Sequence, residues 1–298
     1  MDGDIKMNNY WIMKPVGLSR GRGISLVNDL SDLNFSQKTV VQKYIERPLC
    51  LDGYKFDLRL YVLVTSFQPL EAFVYKEGFA RISTQSYSTD PNNMNNLFIH
   101  LTNSSIQKRN SDGPTLDNPL MKNGEESNGS KISLSGDNGL WNRFKRTGID
   151  VDIVWKNITN LIIKSLVAVD MQMSYQPCCF EVFGFDVLMD ENLRPWLIEV
   201  NASPSLSRDN QLDVRVKNAM IKDTIELIDP PPFNREAIPR ILKRRIKEFQ
   251  QSKSSFLNNK NDSALESDLH EILGDYIPRK FGEIQKKSVI MKCYVRVL

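Results

Sequence analysis

Alternating apolar and polar positions dominate the first hundred residues. WIMKP, GISLV, TVVQKYI, KFDLRLYVLVTS and LEAFVYKEGFARIST read as strands separated by turns. In KFDLRLYVLV, Phe56, Leu58, Leu60, Val62 and Val64 fall on one face, while Lys55, Asp57 and Arg59 fall on the other. This predicts a strand with core behind it and a charged cleft in front; a solvated outer face is the plainer alternative.

Further along, the period changes. From Asp150 to Asp170, Val151, Val154, Trp155, Ile158, Leu161, Ile162, Ser165 and Leu166 recur at three-four spacing and predict an amphipathic helix. Leu212 to Ile228 repeats the pattern, and Asp229-Pro230-Pro231-Pro232 ends it. Glu236 to Gln250 predicts a basic helix, followed by a polar linker and a short C-terminal segment. Asn110 to Gly139 is rich in Asn, Ser, Gly and Asp and predicts a solvated insertion without chemistry. The expected divisions are therefore 1–109, 110–139, 140–232 and 233–298.

The run CFEVFGFDVLMDENLRPWLIEVNASPSL, residues 179–206, sets two apolar arms around the turn-forming Asp190-Glu191-Asn192 and predicts a β-hairpin. Glu199 and Asn201 are two apart and leave one face of the second arm. Folding the hairpin brings Asp186 opposite Glu199 or diagonally beside it. Two carboxylates and an amide oxygen are hard donors of the kind Mg²⁺ takes while keeping waters and substrate phosphates. Ordinary exposed strand residues are the alternative, although acidic residues set among Phe, Val, Leu and Ile seldom face bulk water.

Three further segments carry weaker signals. The loop Lys14-Pro15-Val16-Gly17-Leu18-Ser19-Arg20-Gly21-Arg22-Gly23-Ile24 has three glycines that let backbone amides approach phosphates, as a plain hairpin turn also does. It lacks the GxxxxGK[ST] of a P-loop. Val40-Val41-Gln42-Lys43-Tyr44-Ile45 reads as a strand whose connector could meet an adenine edge, or as a plain core strand. His100-Leu101-Thr102-Asn103 reads equally as a capped turn.

The 298 residues suffice for one large or two smaller domains. Net charge is +3, yet from Arg235 onward 14 Lys/Arg stand against 8 Asp/Glu, so the basic character belongs to the tail. Four cysteines, two of them the adjacent Cys178-Cys179, form neither a disulfide scaffold nor a zinc or redox CxxC and predict a reducing, intracellular setting. Two histidines exclude a His-rich metal site. No long apolar run or signal-peptide pattern occurs, so neither a membrane span nor secretion is expected.

Taken in order, WIMKP, SRGRGI, VVQKYI, KFDLRLYVLV, YKEGFARIST, HLTN, FEVFGFDVLMD and WLIEVNASPSL resemble the tubulin tyrosine ligase-like family, in its polyglutamylase branch, over roughly residues 10–230. The resemblance implies an α+β ATP-grasp fold with antiparallel sheets and flanking helices enclosing a nucleotide cleft. It implies a ligase using ATP and Mg²⁺ that joins free glutamate to glutamate side chains of tubulin tails, through an acylphosphate that an amine attacks. By motif position, Lys14 and the loop of Arg20, Gly21, Arg22, Gly23 and Ile24 would hold ATP phosphates, and Gln42, Lys43, Tyr44 and Ile45 would line the adenine. Lys55 would meet the nucleotide and Asp57 its ribose. Arg59 and Arg81 would bind substrate carboxylates or the acylphosphate, Thr102 and Asn103 would lie near the γ-phosphate, and Lys217 would help position the donor amino acid. Asp186, Glu199 and Asn201 would hold Mg²⁺. Such chemistry needs several cations to assemble anions and no side-chain nucleophile.

The family also implies a further domain ahead of the Trp11 strand, where nine residues precede Tyr10. Microtubules are the implied partner; the clustered charge of the basic segment Arg235–Lys247, with Arg240, Lys243, Arg244, Arg245 and Lys247, predicts docking on their acidic surface, a solvated helix without a partner being the alternative. No nucleic acid or membrane partner is expected, and the implied location is the cytoplasm and cytoskeleton, including cilium or basal body. A tubulin glycylase, or a catalytically silent module that binds microtubules or nucleotide, are the alternatives.

Overall fold

The computed structural model describes residues 10–19, 21–29, 31, 38–110, 131–173, 179–230, 233–251, 262–274 and 293–298. These divide into two compact units, one within residues 1–222 and 291–298, the other within 223–290.

The first unit holds two antiparallel sheets. β1 (Trp11–Pro15) lies between β2 (Ser25–Val27) and β3 (Thr39–Lys43). Tyr10, Leu26, Tyr44 and Met94 pack together as its core. β3 itself is open: Val40 is 46% and Val41 37% exposed, which rules out the plain core-strand reading of that segment.

The larger sheet runs β10 (Tyr294–Arg296), β6 (Leu70–Ile82), β5 (Tyr54–Phe67), β8 (Glu181–Met189) and β9 (Pro195–Asn201), with β4 (Cys50–Leu51) on β5 and β7 (Lys131–Ser133) on β6. Its two faces differ as the two-residue period demands. Phe56, Leu58, Leu60, Val62 and Val64 of β5 are fully or nearly fully buried, alongside Phe185, Val187 and Met189 of β8. Against that face lie α3 (Leu140–Arg146), through Leu140 and Phe144, and α4 (Val151–Asp170), whose Val154, Ile158, Ile162 and Leu166 complete the core. Asp150 begins α4 by accepting the backbone N–H groups of Asp152 and Ile153. Each such side chain removed from water contributes about 1.5–3 kcal/mol; on the opposite face Tyr61, Leu63, Phe73, Tyr75 and Phe79 are buried as well, and the polar side chains gather at the Lys55–Arg59 end of β5.

Two expectations need correction. The polar stretch assigned to 110–139 ends in structure: β7 pairs with Phe79–Arg81, and Ile132 and Leu134 enter the core. The C-terminal segment is likewise a strand, β10, paired along Phe73–Tyr75 with Tyr294 fully buried. Both strands are three residues long and are specified by pairing to β6 rather than by local pattern.

In the second unit, α6 (Ala237–Gln251) faces α7 (Asp262–Leu273), an unforeseen helix. Arg244 pairs with Asp268 and Glu271, Arg245 with Asp268 at 2.5 Å, and Arg240 with Glu271 at 3.2 Å. Three arginines of the expected basic docking surface are therefore committed to acids of a neighbouring helix. Among the described residues no helix is long and apolar enough to cross a membrane.

Candidate active site

The polar face of the large sheet carries two adjacent cross-strand rows of charges, Glu199–Asp186–Arg59 and Asp57–Arg81–Lys131. Directly opposed residues of an antiparallel pair point to the same side, and the register aligns Glu199 with Asp186, Asp186 with Arg59, Asp57 with Arg81, and Arg81 with Lys131. The solvated-face alternative for β5 is thereby excluded: Lys55 and Asp57 are each 6% exposed. Arg59 Nε donates to Asp186 Oδ1 at 2.5 Å and its NH2 to Oδ2 at 3.1 Å. Arg81 Nε donates to Asp57 Oδ1 at 2.7 Å, and its NH2 reaches both Asp57 and, at 2.8 Å, Asp186. Burial pushes the Asp186 carboxyl up, but Arg81 and Arg59 outweigh it and hold it below the ordinary range. Asp57, expected at the ribose, has both oxygens on Arg81 and fixes that guanidinium in place.

Glu199 sits at the accessible edge of the same face. Partial enclosure of its carboxyl, then the adjoining Asp186, raise it above the usual carboxylate value. Asn201 Nδ2 donates to Glu199 Oε1 at 3.1 Å and to the Gly184 carbonyl at 3.3 Å, which leaves Oδ1 for a cation. Among the described residues no three His, Cys, Asp or Glu side chains cluster as a metal site. The set is instead two carboxylates and an amide. These hard oxygens fit Mg²⁺, and the raised Glu199 marks a carboxylate pair that a dication would stabilise in its fully ionised form.

Lys14 on β1 feels both acids: burial lowers it, while Glu199 and Asp186 oppose the shift, and its Nζ donates to Gln42 Oε1 at 2.8 Å. Lys14 and Lys55 lie close enough to influence each other's charge. Lys55 Nζ donates to Tyr44 Oη and to the His100 carbonyl, both at 2.8 Å. Tyr44 Oη is 3.0 Å from His100 Nδ1, and His100 Nε2 is 3.1 Å from the Asn93 carbonyl. With a neutral imidazole, Nε2–H donates to the Asn93 carbonyl and Nδ1 accepts from Tyr44. Burial, then the Lys55 ammonium, push His100 down to about 4, so it is neutral at physiological pH. Burial pulls Lys55 down to about 8, with Asp57 opposing. His100 was visible in HLTN but carried no signal of this support role.

The three-glycine loop joins β1 to β2. Gly21 and Gly23 have φ of +74° and +69°, where side chains are strained. A Cβ on Gly21 would overlap the Ile106 side chain and lie 3.3 Å from Asn103 Oδ1. The loop therefore rests on the turn between α1 (Leu97–His100) and α2 (Ser104–Gln107), beside a cavity of about 440 Å³ lined by Gly21, Arg22, Gly23, Asn96, Ile106 and Arg109 among others. Thr102 is buried and Asn103 makes no side-chain cap bond, so a capped turn does not explain HLTN. Ile24 is half-buried at the loop's end, and Arg20 lies outside the described residues. Tyr44 is buried and Ile45 partly so, but Lys43 is exposed next to Gln42 and, by strand alternation, turns to the other face.

Lys217 stands apart from the metal pair. It reaches Asp213 at 3.0 Å and the Ser207 carbonyl from α5 (Gln211–Ile228). Lys131 of β7 binds the same carboxylate at 3.2 Å. Sequence reasoning missed Lys131 and Asp213, the first because it ends an Asn/Ser-rich stretch.

An α+β protein with an open strand-and-loop layer over an antiparallel sheet, whose polar face carries lysines, arginines and a hairpin carboxylate pair, has the ATP-grasp type of architecture. The tubulin-tyrosine ligase family profile matches residues 3–238, and the chain belongs to that family. It is 36% identical to Tubulin polyglutamylase TTLL5 of Mus musculus over 91% of this chain and 21% of that protein. It is 41% identical to Probable tubulin polyglutamylase TTLL2 of Homo sapiens over 74% and 36%, and 36% identical to Tubulin polyglutamylase TTLL6 of Mus musculus over 95% and 34%. The chain thus spans about a fifth to a third of the length of these relatives.

Proposed function

We propose that the chain is an ATP- and Mg²⁺-dependent ligase that adds glutamate to glutamate side chains of tubulin C-terminal tails. The γ-phosphoryl group of ATP passes to a carboxylate oxygen of the tail, leaving ADP and an acylphosphate. The amine of free glutamate then attacks the acyl carbon, the C–N bond forms, phosphate leaves with the C–O bond, and the amine loses a proton. Bound Mg²⁺ supplies charge neutralisation at the phosphates.

Each residue has a part that follows from its surroundings. Asp186, Glu199 and the Asn201 amide oxygen hold the cation. Lys14, the Gly21–Gly23 backbone and Lys55 bind the phosphates and nucleotide, beside Gln42, Tyr44 and Ile45. Arg59 and Arg81, locked in orientation by Asp186 and Asp57, present guanidinium edges to the carboxylate and to charge developing on its oxygen. Thr102 and Asn103 stand where the glycine loop closes. The observation that carries this reading is the cross-strand row Glu199, Asp186 and Arg59, joined by the Arg81–Asp186 contact to the neighbouring row of Asp57 and Arg81. The names of the relatives support glutamate and tubulin as its substrates.

The test is incorporation of labelled glutamate into microtubules by the purified 298-residue chain with ATP and Mg²⁺. Glutamate added in the presence of ATP and lost in Glu199→Gln is the expected result. Equal incorporation without ATP, or by Glu199→Gln, contradicts it.

A further inference from the structure

One carboxylate answers two kinds of cation. Asp186 Oδ1 accepts Arg59 Nε at 2.5 Å, and Oδ2 accepts Arg59 NH2 at 3.1 Å and Arg81 NH2 at 2.8 Å. The same carboxylate adjoins Glu199 across the β8–β9 pairing, where the hairpin offers hard oxygens to a divalent cation. Asp186 is 1% exposed, so water screens little between its partners. A guanidinium and a dication drawn to one buried carboxylate repel each other and divide a single negative charge. Full pairing with both is therefore unfavourable.

The two arginines differ in how readily they leave. Arg81 keeps Asp57, which it grips through Nε at 2.7 Å and through NH2. Among the described residues, Arg59 has no acidic partner other than Asp186. It also has room to move. Its stem lies against Gly184 of β8, where an added Cβ would fall 3.4 Å from Arg59 Cδ, 3.5 Å from its Nε and 2.8 Å from Pro204 Cβ. The glycine thus keeps the flank of this side chain clear. The Arg59 side chain is 15% exposed against 9% for Arg81, so the arginine with a single partner is also the more accessible.

We propose that Arg59 is a cation-released clamp: when a divalent cation takes the Asp186 oxygens, the Arg59 guanidinium leaves Asp186 for a substrate carboxylate, and Arg81 stays on Asp57. The exchange makes and breaks ion pairs only. Cation and carboxylate then favour one another by the same factor, whichever binds first. An acidic chain that reaches the site ahead of the cation meets an Arg59 already paired, so capture of the carboxylate waits on the metal. That this carboxylate belongs to a glutamate-rich tail rests on the ligase reading; the competition for Asp186 does not.

Mn²⁺ takes the same oxygen donors as Mg²⁺ and is followed by its EPR signal, while calorimetry follows a glutamate-rich peptide. Both are titrated into the 298-residue chain. Arg59→Gln is expected to bind Mn²⁺ several-fold more tightly than the wild type, because a competitor for Asp186 is gone. A residue that merely braced Asp186 for the metal would give the opposite sign. Saturating Mn²⁺ is expected to strengthen peptide binding to the wild type by roughly tenfold or more, within the usual range of coupling between sites, and this gain is expected to disappear in Arg59→Gln. Mn²⁺ affinity that is unchanged or lower in Arg59→Gln, an equal peptide gain in both proteins, or no Mn²⁺ binding by the wild type overturns the proposal. Should Arg59→Gln fail to fold, Arg59→Lys takes its place: one ammonium does not span both Asp186 oxygens, so Mn²⁺ binds more tightly, and unaltered affinity overturns the proposal equally. Ligation is scored apart. Peptide held through Arg59 under Mn²⁺ but never joined to glutamate refutes the ligase reading and leaves the clamp standing, whereas ligation by a chain whose Mn²⁺ affinity ignores Arg59→Gln refutes the clamp alone.

Discussion

Asp186 lies directly opposite Glu199 across the β8–β9 pairing, the first 1% exposed and held by two guanidinium groups, the second at the open edge of the face. Their environments separate their contributions to folding and to cation binding. Glu199→Gln removes a ligand charge at an exposed position, so stability changes by no more than about 0.5 kcal/mol while Mg²⁺-dependent ATP binding is lost. Asp186→Ala leaves Arg59 and Arg81 without their shared partner and costs about 3–5 kcal/mol. Thermal melts alongside ATP titrations with and without Mg²⁺ distinguish the two. Equal destabilisation by both variants contradicts this division.

Arg81 reaches Asp57 and Asp186 at once, which a single ammonium group on a lysine stem does not reproduce. Arg81→Lys is expected to lose most ligation turnover while ATP affinity persists. If ATP affinity falls in step with turnover, Arg81 serves the nucleotide instead of the substrate carboxylate.

Lys55 titrates at about 8 in the fold against 10.5 ordinarily. Between those values the unfolded chain holds the proton and the folded chain does not, so the Lys55 contribution to stability rises with pH across this window, and its cost is full below pH 8. Nucleotide binding runs the other way, because phosphates select the charged form. ATP affinity should fall above about pH 8, approaching tenfold per pH unit for one proton, and the slope should flatten in Lys55→Arg. A slope unaltered by that substitution assigns the titration to another group.

Gly21→Ala places a methyl against Ile106 at a φ of +74°. Left-handed backbone costs about 1 kcal/mol for such a residue, and the loop must lift from Asn103. The expected outcome is a raised KM for ATP with a melting temperature close to wild type. An unchanged KM removes the loop from nucleotide binding.

How much of this was legible in the chain depends on whether the signal was local. The hairpin was, because Asp190-Glu191-Asn192 marks its turn and the two-residue spacing of Glu199 and Asn201 fixes their face. The two-faced character of β5 was also plain in alternation. Lys131 was hidden because β7 has only three residues and gains its place from pairing with Phe79–Arg81. The clamp of Asp57 on Arg81 joins positions 24 residues apart and follows from register, which composition does not reveal. The arginines of α6 looked like a free basic face until α7 supplied Asp268 and Glu271.

The acylphosphate is the central claim, and isotope transfer tests it most directly. A glutamate-rich tubulin peptide labelled with oxygen-18 in its side-chain carboxylates is incubated with the chain, ATP, Mg²⁺ and free glutamate, and the released phosphate is examined by mass spectrometry. Activation of the tail carboxylate predicts one labelled oxygen in the phosphate for each glutamate joined. Glutamylated peptide accompanied by unlabelled phosphate contradicts the account.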